Sequence, residues 1–312
     1  MEVLVFGAGS LGSLLGGLLA RAHDVTLVGR DPHVSTVRAS GLRITGEVSA
    51  TVHPAAVTGL ERDAAGSGPT NAPDLAVVTV KSFDTAGAAW ALARVDPAVV
   101  LSLQNGMGNE TTLAGGLDAP VLAGTTTFGA RLREPGIVAC TGVGSVTLGP
   151  HGGTPLAIAD DATLEAAERA GAAFRTADIE TEVVADPRPH LWEKLAVNAG
   201  INPVTALAGV ENGALVDGPA AGVAARAAVE TARVARDHGV DLPDRRAREA
   251  VRTVADTTAM NRSSMLVDVA AGRPTEIDAI NGYVVDHADR EVPVNEALVG
   301  LIRAWEAGEG LR

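Results

Sequence analysis

Residues 2–20, "EVLVFGAGSLGSLLGGLLA", restrict the fold more than any other stretch of the chain. Glu2 to Phe6 reads as a short apolar strand. Gly7, Ala8, Gly9, Ser10, Leu11 and Gly12 form a complete G-x-G-x-x-G turn, and a helix pattern follows. "DVTLVGR" (24–30) is a second apolar strand, so the span fits one βαβ unit of about 30 residues. Each glycine has a separate task. Gly7 permits the tight turn, Gly9 lets backbone N–H groups approach a pyrophosphate, and Gly12 lets the helix pack close to the strand. The bare motif is weak evidence. Placed at residue 7, after a strand and before a helix, it predicts a dinucleotide-binding domain.

"DLAVVTVKS" (74–82) and "AVVLSLQNG" (98–106) are two more continuous apolar runs, with the helical stretch "FDTAGAAWALARV" between them. Strands apolar on both faces belong to a sheet covered by helices on both sides. The fold class expected is α/β, a doubly wound Rossmann-type parallel sheet. "AAGSGPTNAP" (64–73) reads as a surface loop. Residues 121–150 read as hairpin-connected strands extending the sheet, and 176–186 as a last strand. Beyond 187 helical stretches dominate: "GPAAGVAARAAVETARVARDHG", "LPDRRAREAVRTVADTTAM", "TEIDAINGYVVDHA" and "VNEALVGLIRAWEAG". The expected domains are 1–186, binding dinucleotide, and 187–312, all-helical.

A net charge of −13 argues against a nucleic-acid partner, which calls for a basic footprint. No run of 18 apolar residues predicts a membrane span, and the N-terminus lacks the pattern of a signal peptide. The single Cys140 excludes an internal disulfide and a cysteine-based zinc cluster. No carboxylate cluster suggests a metal. A reducing cytoplasm is the expected location.

Three segments near the predicted sheet carry polar candidates. At the end of the second strand, "LVGRD" has Gly29 where NAD enzymes usually carry an acid for the ribose. Arg30 follows, and a guanidinium suits a 2′-phosphate, which favours NADPH. Asp31 is the competing reading. "VKS" and "LQNG" end two further strands and place Lys81 and Asn105 at the ligand-facing edge expected of such sheets.

In "HLWEKLAVNAGIN" (190–202), Lys194, Asn198 and Asn202 recur every fourth residue. In a helix they share one face, drifting by about 40° per step. Only two of the 25 basic residues are lysines, Lys81 and Lys194. In so arginine-rich a chain, a remaining lysine is a candidate for work arginine cannot do. Lysine can shift its pKa and donate a proton. A satisfied polar face at a domain seam is the alternative. In "NRSSMLVDVAAGRPTEIDAINGY", Ser263 or Ser264 fits a helix N-cap and Glu276 a first-turn acid, if neither has a ligand.

Taken together, "GAGSLGS", "VKSFDT", "LQNGMGNE", "WEKLAVNAGINPVTAL", "ENG" and "SSMLVDVAAGRPTEIDAINGY" resemble the ketopantoate reductase family over nearly the whole chain. The resemblance implies a Rossmann domain joined to a helical domain like that of 6-phosphogluconate dehydrogenase. It implies NADPH-dependent reduction of ketopantoate to pantoate, on the route to pantothenate and coenzyme A. Lys194 falls on the family's catalytic lysine. Asn198, Asn202, Asn212 and Ser264 fall on substrate-binding positions, and Asn105 falls where cofactor and substrate meet. Glu276 falls on the acid near the nicotinamide ribose, which the resemblance counts with Lys194 among the catalytic residues. Arg30 and Lys81 fall on positions that contact the adenosine part of NADPH. A homodimer through the helical domain is compatible with this. Two rivals stay open: a reductase of another 2-keto acid on the same fold, and a non-catalytic NADP-binding sensor. A metal-dependent reductoisomerase fits less well.

Overall fold

The computed structural model describes residues 1–60, 72–152 and 161–312. The surface loop expected at 64–73 falls mostly outside these residues. The chain divides into two compact units: Met1–Gln104 with Asn109–Pro187, and Asn105–Gly108 with Arg188–Arg312.

The first unit opens with β1 (Glu2–Phe6), α1 (Ser10–Leu19), β2 (Asp24–Val28) and α2 (His33–Ser40). β3 (Leu42–Gly46), β4 (Ala50–Val52), β5 (Ala55–Val57) and β6 (Leu75–Val78) come next, then α3 (Thr85–Leu92), β7 (Val100–Ser102) and α4 (Asn109–Gly116). β8 (Val121–Thr126), β9 (Gly129–Glu134), β10 (Ile137–Gly142), β11 (Val146–Pro150), α5 (Asp161–Thr176) and β12 (Thr181–Val183) complete it. The large sheet has the order β12-β11-β8-β7-β6-β1-β2-β5. Every neighbouring pair is parallel except β8 with β11. The chain runs outward from β1 through β2 to β5 and returns to β6 on the other side of β1. That reversal is the topological switch where such sheets bind ligands, beyond the strand C-termini.

Alternation along the strands divides the core. Leu4, Ala76, Val78 and Val100 pack with Ala88, Ala89, Leu92 and Leu113 on one face. Val3, Val5, Val77 and Leu101 pack with Leu14, Leu15, Leu18 and Phe174 on the other. Each fully buried Leu or Val contributes roughly 1.5–3 kcal/mol.

The expectation for 121–150 needs correction. Only β8 and β11 extend the large sheet. β9 and β10 form a hairpin within a separate four-stranded sheet of order β4-β3-β10-β9. β8 is buried along almost its whole length, whereas β9 is largely exposed, which suits an edge strand of a small sheet. The runs at 74–82 and 98–106 also yield shorter strands than expected, because the chain leaves the sheet at Thr79 and Leu103. α2 and α5 go beyond the sequence reading. His33, at the start of α2, joins three elements: its Nε2 lies 2.9 Å from Ser13 Oγ on α1. Its Nδ1 accepts from Gly136 N in the β9–β10 turn at 3.0 Å.

The second unit is helical, as expected. It comprises α6 (Arg188–Ala208), α7 (Ala221–Asp237), α8 (Asp244–Thr257), α9 (Ser264–Ala270), α10 (Tyr283–Asp286) and α11 (Pro293–Gly308). Its core is built mainly from Ala, Val, Leu and Ile around α6 and α7, with Trp192 the one large aromatic buried in it. "TEIDAINGYVVDHA" is not one α-helix. A π-helical turn spans Asp278–Gly282, with Gly282 N bonded to Ile277 O at 2.8 Å, before α10 begins. No described helix is long and apolar enough to cross a membrane.

Candidate active site

The candidate residues divide between the two units. In the first unit the glycine turn links β1 to α1. Gly7 has φ +116°, and a Cβ there would lie 2.7 Å from Val80 N. A Cβ on Gly12 would lie 2.2 Å from Gly7 O. Both glycines are therefore required by the protein's own backbone. Gly9 is different: its Cβ would meet nothing nearer than Gly7 O at 4.0 Å. Its bareness leaves space in front of α1. That helix starts at Ser10 with no side-chain cap and no acid in its first turn. Ala8 and Leu11 complete the turn. The open amides and the positive end of the dipole suit a phosphate. This arrangement fits a dinucleotide. Ser10 contributes through its backbone, since its Oγ accepts from Leu132 N at 3.0 Å.

Arg30 extends from the end of β2 with its side chain 88% exposed, 3.2 Å from Asp84 Oδ2. An exposed pair of this kind is weak, so the guanidinium is available to a phosphate. Asp31 is engaged elsewhere: its Oδ1 accepts from Ser35 N at 3.0 Å, capping the first turn of α2. Lys81 is half-buried, at the start of a 3₁₀ turn, Ser82–Asp84. A buried network holds this edge of the sheet. Gln104 Nε2 donates to Val80 O at 3.1 Å and to Thr85 Oγ1 at 2.8 Å. Thr85 Oγ1 lies 2.8 Å from Ser82 O and 2.9 Å from Asn109 Oδ1. The segment carrying Lys81 is thus anchored through the residues beside it.

In the second unit α6 carries the polar stripe. Lys194 and Asn198 are half-buried. Asn202 is 6% exposed, and its amide makes no hydrogen bond among the described residues. Beside the lysine, Glu193 is engaged by Arg246 of α8 at 2.7 Å. That contact holds the Arg246 guanidinium above its ordinary pKa, chiefly through the hydrogen bond to Glu193.

Pro203 lies inside the same helix. Proline has no N–H for the carbonyl four residues back, here Ala199 O. Asn281 supplies the missing donor: its Nδ2 lies 3.0 Å from Ala199 O. The same amide reaches Asn295 Oδ1 at 2.9 Å, and Asn295 Nδ2 reaches Glu230 Oε2 at 2.8 Å. A buried polar chain thus supports the helix on the turn between Asn198 and Asn202.

The serines separate into two roles. Ser263 is the N-cap of α9: its Oγ accepts from Leu266 N at 3.1 Å and from Thr205 Oγ1 at 2.7 Å. Ser264 is the first residue of the helix and is exposed. Asn212, in the short turn after α6, donates from Nδ2 to Thr258 Oγ1 at 2.9 Å; its buried Oδ1 has no partner among the described residues. Asn105 belongs to this unit through the short segment Asn105–Gly108. Its Nδ2 lies 3.5 Å from Glu276 Oε2, and Glu276 is 5% exposed. Met107 N bonds Ala279 O at 2.9 Å, which fixes the segment to the π-helical turn.

Gln104, Thr85 and Asn281 escape a sequence reading. Each acts on a partner far away in the chain, and a single Gln, Thr or Asn carries no periodic signal. The proline in α6 is the one visible cue, because it announces a carbonyl in need of a donor.

Two family descriptions match the chain: "Ketopantoate reductase PanE/ApbA" over residues 3–153, and its C-terminal counterpart over residues 186–306. The 2-dehydropantoate 2-reductase of Halobacterium salinarum is 45% identical over 97% of this chain and 98% of its own. A crystal structure of a PanE/ApbA family ketopantoate reductase from Ralstonia eutropha superposes with a TM-score of 0.85. It is 33% identical and covers 99% of this chain and 100% of that one. A D-mandelate dehydrogenase solved with NADH and anilino(oxo)acetate has a TM-score of 0.88 with 99% of each chain covered, at 22% identity, and shares the fold. With matches to both parts of the chain and a full-length relative at this identity, the chain belongs to the ketopantoate reductase family.

Proposed function

We propose that the protein reduces 2-dehydropantoate, the substrate named for its full-length relative, to pantoate, and that it does so with NADPH. One observation carries the reading. Lys194, Asn198 and Asn202 lie on one face of α6 in a chain with two lysines, supported from behind by buried polar contacts.

When bound, the reduced nicotinamide supplies a hydride to the carbonyl carbon of the keto acid. The protein must meet the charge that then develops on the carbonyl oxygen. The Lys194 ammonium stabilises that charge and gives the oxygen its proton, as general acid. Arginine would supply the charge alone, since it does not release its proton. Asn198 and Asn202 hold the hydroxyl and carbonyl oxygens of the substrate. Ser264, with backbone N–H groups near it, holds the carboxylate, and Asn212 adds a further polar contact. Glu276 and Asn105 hold the nicotinamide ribose side. In the first unit, Gly7–Gly12 hold the pyrophosphate, and Arg30 with Lys81 holds the 2′-phosphate and adenosine. The commitment of Asp31 to Ser35 supports NADPH over NADH. A homodimer and a cytoplasmic location complete the reading.

The test is a screen of purified protein against ketopantoate and other 2-keto acids with each nicotinamide cofactor. Ketopantoate with NADPH should give the highest kcat/KM. Another keto acid turned over faster would overturn the substrate, and a preference for NADH would overturn the role of Arg30.

A further inference from the structure

The contacts between α11 and the segment around Glu276 point beyond this assignment. Glu306, on α11, is 2% exposed. Its Oε1 accepts from both Thr275 N and Thr275 Oγ1, each at 2.8 Å. Its Oε2 accepts from Arg312 Nε at 2.6 Å. Thr275 Oγ1 in turn accepts from Ile277 N at 3.3 Å. The residues on either side of Glu276 are therefore tied to the same hydroxyl, and that hydroxyl is tied to Glu306. One residue further on, Asp278 is held by Arg303 at 2.9 and 2.7 Å and by Arg312. Glu276 sits in the middle of this clamp.

A buried carboxylate on a packed helix is costly unless its hydrogen bonds repay it, and an apolar side chain would fill the position without that cost. What Glu306 secures is the backbone of one short segment. That segment carries Glu276 and leads directly into the π-helical turn, a geometry that recurs at functional sites.

We propose that Glu306, acting through Thr275, is a positioning residue that sets the orientation of the Glu276 carboxylate for the reaction. This rests on the reading of Glu276 as a site residue, and the experiment separates the two. Thr275→Val and Glu306→Gln are made in the wild-type holoenzyme and again in a Glu276→Gln background, with kcat, KM and melting temperature measured for each. In the wild-type background kcat/KM should fall roughly 10- to 100-fold, the scale expected when a reacting group is misplaced by about an ångström. Thr275→Ser, which keeps the hydroxyl, should recover most of the rate. In the Glu276→Gln background the clamp substitutions should cost little more, because the group they orient is already gone. Equal losses in both backgrounds would reduce the clamp to a structural role and overturn the proposal. So would wild-type kinetics in Thr275→Val. If Glu276→Gln alone turns over at the wild-type rate, the reading of Glu276 itself fails and the proposal falls with it.

Discussion

The two units present their candidate ligand groups in opposite ways. The first does so largely with main chain: an uncapped helix start, a bare glycine, and strand ends fastened by Gln104 and Thr85. The second does so with side chains, several of them on helices, and two of its segments are backed by buried partners from elsewhere in the unit: Asn281 backs α6 and Glu306 backs the Glu276 segment. Main-chain sites tolerate change in the residues around them so long as the glycines stay. Side-chain sites depend on particular functional groups, so the second unit should be more sensitive to single substitutions.

The sharpest way to break this contrast is Lys194→Ala. The rate should fall by roughly 10²- to 10⁴-fold, the range for a lost general acid, while NADPH affinity measured by fluorescence stays near wild type. Lys194→Arg should recover little. In the wild type the rate should decline at high pH, and that limb should vanish in the alanine variant. A near-normal turnover would take Lys194 out of the chemistry.

Next in size is Arg30→Gln, which removes one of the two charged groups, with Lys81, that the first unit is asked to use on the nucleotide. NADPH binding should weaken by about 1.5–3 kcal/mol, the scale of a charge-assisted hydrogen bond, with NADH binding unchanged. Equal losses for both cofactors would show that Arg30 does not read the 2′-phosphate.

The adjacent serines sharpen the comparison within the second unit. Ser263→Ala removes the cap of α9 and should cost about 0.5–2 kcal/mol of stability. Ser264→Ala should leave the melting temperature alone and raise KM more than it lowers kcat, as expected for a contact made equally in ground and transition states. Reversed outcomes would exchange their roles.

The smallest expected effect is a difference in acid response. Burial lowers the pKa of His33 and of His151, both in the first unit. A histidine whose folded pKa is depressed gives stability that is complete above its ordinary value of 6.5 and is lost as pH falls through the folded value. In the second unit the shifted acids are Asp237, Asp244 and Asp278. The Arg290 hydrogen bond holds Asp237 low; around Asp244 and Asp278, arginine contacts outweigh the opposing effect of burial. Their contribution is complete above 3.8 and is lost only in stronger acid. Hydrogen exchange followed from pH 8 downward should therefore show the first unit loosening before the second. His33→Gln should flatten the first step. Simultaneous loosening would remove the distinction.

Legibility in the sequence follows the same division. The βαβ start was readable because Gly7 and Gly12 are demanded by local backbone geometry, which a single sequence can display. The helical character of the second unit was readable from periodicity. The placement of β9 and β10 was not, because alternation marks an edge strand without saying which sheet receives it. α5 escapes a sequence reading because its buried face is mostly alanine, Ala166, Ala167, Ala170 and Ala173, a weak contrast with its surroundings. The stripe on α6 could be found from spacing alone, but its supports could not. Those supports join residues that approach only after folding.

The proline inside α6 has a consequence for how this helix can change over time. Ala199 and Asn281 are 82 residues apart in the chain, yet they share one hydrogen bond that the backbone would otherwise make for itself. A variant that restored an N–H at position 203 would give the carbonyl a second donor, which its two lone pairs can take. A variant that lost Asn281 would leave that carbonyl buried without a donor. The second change becomes tolerable only once the first has been made, so loss of Asn281 in descendants of this chain should accompany loss of the proline, and the two positions should covary.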